Sequence, residues 1–323
     1  MKSNDNLGVL ETTKYVVRHA KSVSLHKRKI GKIIPKVRKR LEAGLEDPVM
    51  GFGAQGNFEN DAQLIFLEDV VNFCFWAEKN KPKWEIEFPK GTIIKGGAYA
   101  MVGSFKRALV EQVPILDANF LANLTPEQSG SLFRSCNGID MPLLDKRLEN
   151  LREAGKVLNE KFSGKFSNAI KLAEYDAVKL VQLIYQNFFS FADIAKFEGR
   201  NIYFLKRAQI CVNDISYLTN SPHKITGLEN LTAFADYKLP QMLREAEIIE
   251  YTPELSEKVD NMVLIKAGSS EEVEIRAATV WGVELIHQKM KRYTPAQIDN
   301  ALWLISQDQS NVRPYHRTYT IYY

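Results

Sequence analysis

Asp140-Met141-Pro142-Leu143-Leu144 opens a stripe of Leu144, Leu148, Leu151, Gly155, Leu158 and Phe162 that runs on to Gly164. Residues three, four and seven apart share one side of a helix, so this spacing predicts a long amphipathic helix. Asp140 is placed to cap it, Pro142 suits its first turn, and Gly164 marks its end. The stretch decides the fold class because the same signature recurs on both sides of it. Upstream, Leu64, Leu67, Val71 and Phe75 follow from Asp61, and Ile65, Val70, Cys74 and Trp76 widen that stripe into a helix buried on most sides. Downstream, helices are expected over Asn168 to Asn187, Asn201 to Leu218 and Glu271 to Arg292. Thr294-Pro295 opens one more, by the cap-then-proline rule.

Strand signals are few. Trp84-Glu85-Ile86-Glu87-Phe88 alternates, and after Pro89-Lys90-Gly91 comes Thr92-Ile93-Ile94, which predicts a small β-hairpin. The tail Tyr319 to Tyr323 is expected to be extended. No repeat, low-complexity tract or Gly/Ser linker interrupts the chain. The expectation is a mainly α, single-domain helical body over residues 46–323, with residues 1–45 as a basic helical arm packed on it.

The 323 residues are 45% hydrophobic and 25% charged with a formal net charge of +4, a balance that suits a globular protein with a substantial core and not a general nucleic-acid binder. The charge is uneven: Arg18 to Arg40 holds many lysines and arginines and no acid, so a basic helix there can meet phosphate or simply be solvated. Three cysteines without a CxxC spacing and five scattered histidines point away from a disulfide framework or a structural zinc. The first residues lack an apolar signal core and no run reaches membrane-span length, so a cytoplasmic protein is expected.

Chemistry is carried by a few clusters. Phe234-Ala235-Asp236-Tyr237-Lys238-Leu239-Pro240-Gln241 wedges a carboxylate between rings just ahead of a helix, where an aspartate is either a cap or a catalytic group. Lys206-Arg207-Ala208-Gln209, with Asp214, places polar groups amid apolar neighbours, so they are paired internally or line a pocket. An Arg207–Asp214 link seven residues apart is the structural alternative. Glu272 and Arg276 suggest an intrahelical ion pair. Phe73-Cys74-Phe75-Trp76 suits either plain core or a stacking wall for a base. Pro314 to Tyr319, with His316 and Arg317, suggests a tail docked on the body, and Gly96-Gly97 before an apolar helix is a weak phosphate signal. GxSxG, HExxH and GxxxxGK[ST] are absent from the sequence.

Together, in this order, Phe75-Trp76, Lys206 to Gln209, Leu231-Thr232, Phe234 to Tyr237, Pro240-Gln241, Glu272 to Ala277 and His316 to Tyr323 resemble the queuosine salvage family, the queuosine 5′-monophosphate N-glycosylases. The resemblance covers about the last 250 residues. It implies a helical fold distantly similar to helix-hairpin-helix DNA glycosylases, and hydrolysis of queuosine 5′-monophosphate to queuine, which a tRNA-guanine transglycosylase then inserts into tRNA. It implies no cofactor, no metal, no membrane and no stable nucleic-acid complex. By the likeness, Asp236 corresponds to the catalytic carboxylate and Lys206 to its companion. Chemistry and motif position add substrate-binding candidates: Phe75, Trp76 and Tyr237 around the base, Asp214 or Gln209 on its polar edge, and Arg276, His316 and Arg317 for the phosphate. Because a 7-deazaguanine lacks N7, the departing base needs its charge relieved elsewhere. Two other classes fit the residues: a DNA or tRNA base glycosylase, and a non-enzymatic helical nucleotide-binding protein in which Asp236 is only a cap.

Overall fold

A computed structural model describes residues 6–45, 56–309 and 311–323. Helices dominate, and the strands form three separate antiparallel pairs: Val23–Leu25 with Ile249–Tyr251, Ile86–Glu87 with Ile93–Ile94, and Ile194–Phe197 with Arg200–Tyr203. The second of these is the expected hairpin. The mainly α class follows from the sequence periodicity. No described helix is long and apolar enough to cross a membrane.

Among the described residues two large apolar cores, and a small third around Phe73, Cys74 and Trp76, hold the molecule. The larger is built around the helices Phe58–Val70, Gly97–Val110, Leu144–Phe162, Ala177–Asn187 and Lys206–Ile215. Within it Phe66 stacks on Phe166 at 4.1 Å between ring centres and also meets Phe188 and Phe191. The second core joins the helices Lys238–Glu245, Ser270–Lys289 and Pro295–Gln307 to Val23, Ile30, Ile33, Val37 and Leu41. Gly155 has a packing role: a Cβ there would lie 2.4 Å from the Ala122 amide nitrogen, so its absence lets the helix Ala118–Ala122 close onto Leu144–Phe162.

Helix boundaries shift where side chains intervene. The Leu144–Phe162 helix starts after Leu143, which has φ 53°, so Asp140 stands outside it. Ser163 and Gly164, both at positive φ, end it, with the Gly164 amide donating to the Leu158 carbonyl at 2.9 Å. The stretch expected as one helix over Asn168 to Asn187 is two, Phe166–Leu172 and Ala177–Asn187. Glu174 and Tyr175 turn at positive φ between them, and Asp176 caps the second through the Lys179 amide at 2.9 Å. The helix expected from Asn201 begins only at Lys206, because Arg200–Tyr203 is a strand.

The basic segment is not one helix. It passes from the helix Val9–His19 through the strand Val23–Leu25 and a 3-10 turn over Lys27–Lys32 to the helix Ile34–Glu42. Glu274 accepts the amides of Lys21 and Ser22 at 3.1 and 2.7 Å and breaks the first helix there. Lys29 and Lys32 meet Glu247, so part of the positive charge is answered within the chain. The division expected between residues 45 and 46 abuts residues 46–55, which lie outside the described residues. The tail is docked but not a strand: Tyr323 is buried and its carbonyl accepts the Cys74 amide at 2.8 Å.

Candidate active site

A cavity of about 610 Å³ lies where the two large cores meet. Its walls come from places distant in sequence, among them Asn72 to Phe75, the Lys206–Ile215 helix with Lys206, Ile210 and Asp214, the turn Phe234 to Leu239, and Asp299 to Gln307.

The first wall is non-helical for a physical reason. The stripe from Asp61 predicts a helix past Val71, but the helix stops at Val70. The buried Arg207 guanidinium donates to the carbonyls of Asp69 at 2.9 Å, Val70 at 2.6 Å and also Ser190, consuming the last carbonyls of that helix. Lys206 then takes the Asn72 carbonyl at 3.4 Å, and buried Arg147 takes that of Phe73. Cys74 turns at φ 47°, and Phe73 and Phe75 face the cavity. Arg207 has no link to Asp214; the anticipated pair is replaced by these carbonyl bonds.

Asp236 is both a cap and a cavity residue. Its Oδ1 accepts the amides of Lys238 at 2.8 Å and Leu239 at 2.9 Å at the start of the Lys238–Glu245 helix, while the side chain lines the cavity. Burial raises its pKa, opposed first by Lys206 and then by the two amides. Burial likewise lowers the pKa of Lys206, opposed first by Asp236. Each therefore favours the charged form of the other.

Asp193 and Arg276 anchor both. Arg276 makes two bonds to Asp193, at 2.8 and 2.6 Å, and its Nε donates to the Ala235 carbonyl at 3.1 Å, next to Asp236. Asp193 Oδ2 also accepts the Lys206 amide at 3.1 Å. The expected Glu272–Arg276 pair is present at 3.6 Å but is the longer contact. With both partners buried, Asp193 raises the pKa of Arg276 despite the cost of burial.

Of the ten residues singled out in the sequence, Asp236, Lys206, Phe75, Asp214 and Tyr237 meet at the cavity, and the other five do not line it. Gln209 is wholly buried, bonded to the Phe204 carbonyl and, through both its amide atoms, to Thr232, so it pins the strand of chain before Asp236. Trp76 is buried against Tyr319 at 4.6 Å between rings. Arg276 is occupied by Asp193. His316 is buried beside the Tyr323 hydroxyl, and burial pushes its pKa down to about 3, so it is neutral. Arg317 lies over the rings of Trp76 and Tyr315 at 5.8 and 5.6 Å.

Sequence reasoning missed Asp299, Lys83, Lys95 and Lys238, all of which line the cavity. Asp299, on the Pro295–Gln307 helix, accepts the Phe234 amide at 2.7 Å. The signal for it was an acid three and four residues from Pro295, Ala296, Leu302 and Trp303, which share its side of the helix and are apolar. Burial and then the Asp236 charge push its pKa well up, and burial and then Asp69 do the same to Asp214. Lys83 and Lys95 are exposed, beside Gly96 and Gly97, at the start of the Gly97–Val110 helix.

Residues 54–323 match the sequence profile of the family described as queuosine salvage protein. The chain is 39% identical over 328 residues to a queuosine 5′-phosphate N-glycosylase/hydrolase of Sphaerobacter thermophilus, covering 99% of this chain and 98% of that protein. It is 36% identical over 276 residues to the mouse (Mus musculus) protein of the same name, covering 80% and 81%, and 36% over 276 residues to that of Dictyostelium discoideum, covering 82% and 79%.

Proposed function

The chain belongs to the queuosine salvage protein family, and from that membership we propose that it hydrolyses the N-glycosidic bond of queuosine 5′-monophosphate and releases queuine. The observation that carries the mechanism is the meeting of Asp236 and Lys206, both buried, on one cavity of a size usual for small-ligand sites.

Breaking a ribosyl–base bond builds positive charge on the sugar. Asp236, whose ionised form Lys206 and two backbone amides on Oδ1 favour against the cost of burial, has Oδ2 to face that charge and to take a proton from the attacking water. Lys206 sets the charge state of Asp236; its own low exposure and its carbonyl bond to Asn72 hold it in place. Phe75 and Tyr237 form the ring wall for the base, with Tyr315, also on the cavity wall, 4.8 Å from Tyr237 between ring centres. Arg276 is paired with Asp193, and neither His316 nor Arg317 lines the cavity, so the 5′-phosphate falls to Lys83, Lys95 and Lys238, the cations on the cavity wall nearest solvent. The released queuine suits a tRNA-guanine transglycosylase, and we place the protein in the cytoplasm with that activity.

The test is incubation of the purified protein with queuosine 5′-monophosphate and chromatography of the products. Queuine and ribose 5-phosphate should appear in equal amounts. Intact substrate after prolonged incubation would overturn the proposal.

A further inference from the structure

The cavity holds one buried lysine, Lys206, against three aspartates, Asp214, Asp236 and Asp299. Lys238 is half-buried and Lys83 and Lys95 are exposed, so the deeply buried carboxyls compete mainly for Lys206, and burial works against ionising all of them. The hydrogen bonds favour one of them. Asp236 receives two backbone amides and is favoured by Lys206 and Lys238. Asp299 receives one amide, from Phe234, and is 2% exposed. Two carboxyls of the cavity thus attach to the same short segment, Phe234 to Asp236, and of the two Asp236 is the better supplied with donors.

We propose that Asp299 is the general acid of the reaction, protonating the departing 7-deazaguanine base while Asp236 takes a proton from water. This rests on the N-glycosylase function proposed above. The bond from the sugar C1′ to the base nitrogen breaks and its electron pair goes to the base. The base receives the Asp299 proton, water oxygen bonds to C1′, and Asp236 receives the proton that water loses. Asp299 ends ionised and Asp236 neutral, and exchange with solvent restores both. The net charge of the two carboxyls is the same before and after.

The electrostatics favour this exchange. The charge on Asp236 helps to keep Asp299 protonated, so protonating Asp236 makes Asp299 a stronger acid at the moment its proton is needed. Asp214 lacks this link: after burial, its strongest charged neighbour is Asp69. A base without N7 gives such an acid a task, because the usual site of leaving-group protonation is missing.

Asp299→Asn keeps an oxygen for the Phe234 amide and removes the acidic proton. It is compared with the unaltered protein on two substrates: queuosine 5′-monophosphate, and a ribofuranosyl 5-phosphate whose nitrophenolate leaving group departs without protonation. The expected result on the first is a fall in kcat of about a hundredfold to ten-thousandfold, with loss of the alkaline limb of the kcat–pH profile. On the second, turnover by the variant should stay within a few-fold of the unaltered protein. Equal losses on both substrates would make Asp299 a structural residue and overturn the proposal. Undiminished queuine release with an unchanged pH profile would overturn it too. Failure of the unaltered protein to release queuine would instead strike the function itself.

Discussion

Arg276 grips Asp193 with two hydrogen bonds, and that pair ties together the two parts of the chain that carry the cavity charges. Asp193 holds the Lys206 amide and Arg276 holds the Ala235 carbonyl, so one buried ion pair sets the spacing of Lys206 and Asp236. Arg276→Met leaves the Asp193 charge buried without its partner. Urea denaturation should show a loss of about 3–5 kcal/mol. A loss under about 1 kcal/mol would mean that the pair is dispensable.

Asp236→Asn keeps an oxygen that can accept the Lys238 and Leu239 amides, since asparagine caps helices about as well as aspartate. Stability should change by less than about 1 kcal/mol, while queuine release falls by about a hundredfold or more. Thermal unfolding and product chromatography on the same preparation check both halves. Activity near that of the unaltered protein would remove Asp236 from the chemistry.

Lys206→Met removes the cation that most favours the ionised form of Asp236. The carboxylate pKa, already above its ordinary value because of burial, should rise further. The acid limb of the kcat/KM profile should then move to higher pH, because a larger share of Asp236 is protonated at any given pH. An acid limb that stays in place, measured across pH 4 to 8, would uncouple the two residues.

His316 makes stability depend on pH. Its folded pKa is pushed down to about 3 from an ordinary 6.5, so between those values the unfolded chain binds a proton that the folded one does not. Its contribution is complete above pH 6.5 and declines as pH falls toward 3, by at most roughly 1.4 kcal/mol per unit. The stability difference between the unaltered protein and His316→Phe should therefore shrink with falling pH across that window. A constant difference in denaturation midpoints would show that His316 does not titrate on unfolding.

Lys83→Met with Lys95→Met should weaken recognition of the phosphate and leave the chemistry intact. KM for queuosine 5′-monophosphate should rise by about tenfold or more, and turnover of the nucleoside queuosine should change little. Equal effects on nucleotide and nucleoside would move the phosphate to another part of the cavity.

Local chemistry was legible from the residues alone. Thr294-Pro295 announces its helix because the Thr294 side chain and Gln297 exchange bonds with each other's amides within three residues. Asp236 reads as a cap for the same reason, and it is one. The Phe58–Val70 helix shows where such reasoning stops. Its apolar stripe continues past Val71, but Arg207, 137 residues away, takes the Val70 carbonyl and ends it.

The sequence by itself determined the mainly α class, the small hairpin, most helices and, through family likeness, the pairing of Lys206 with Asp236. Tertiary structure decided which charged residues face the cavity. Arg276 and His316 looked like phosphate ligands because their charge is visible in the sequence and their burial is not. Asp299 looked like one acid on an apolar helix until folding placed it, with Phe234, beside Asp236. Periodicity and capping are settled within a few residues along the chain. The charge state of a side chain depends on burial and on neighbours that arrive from distant segments.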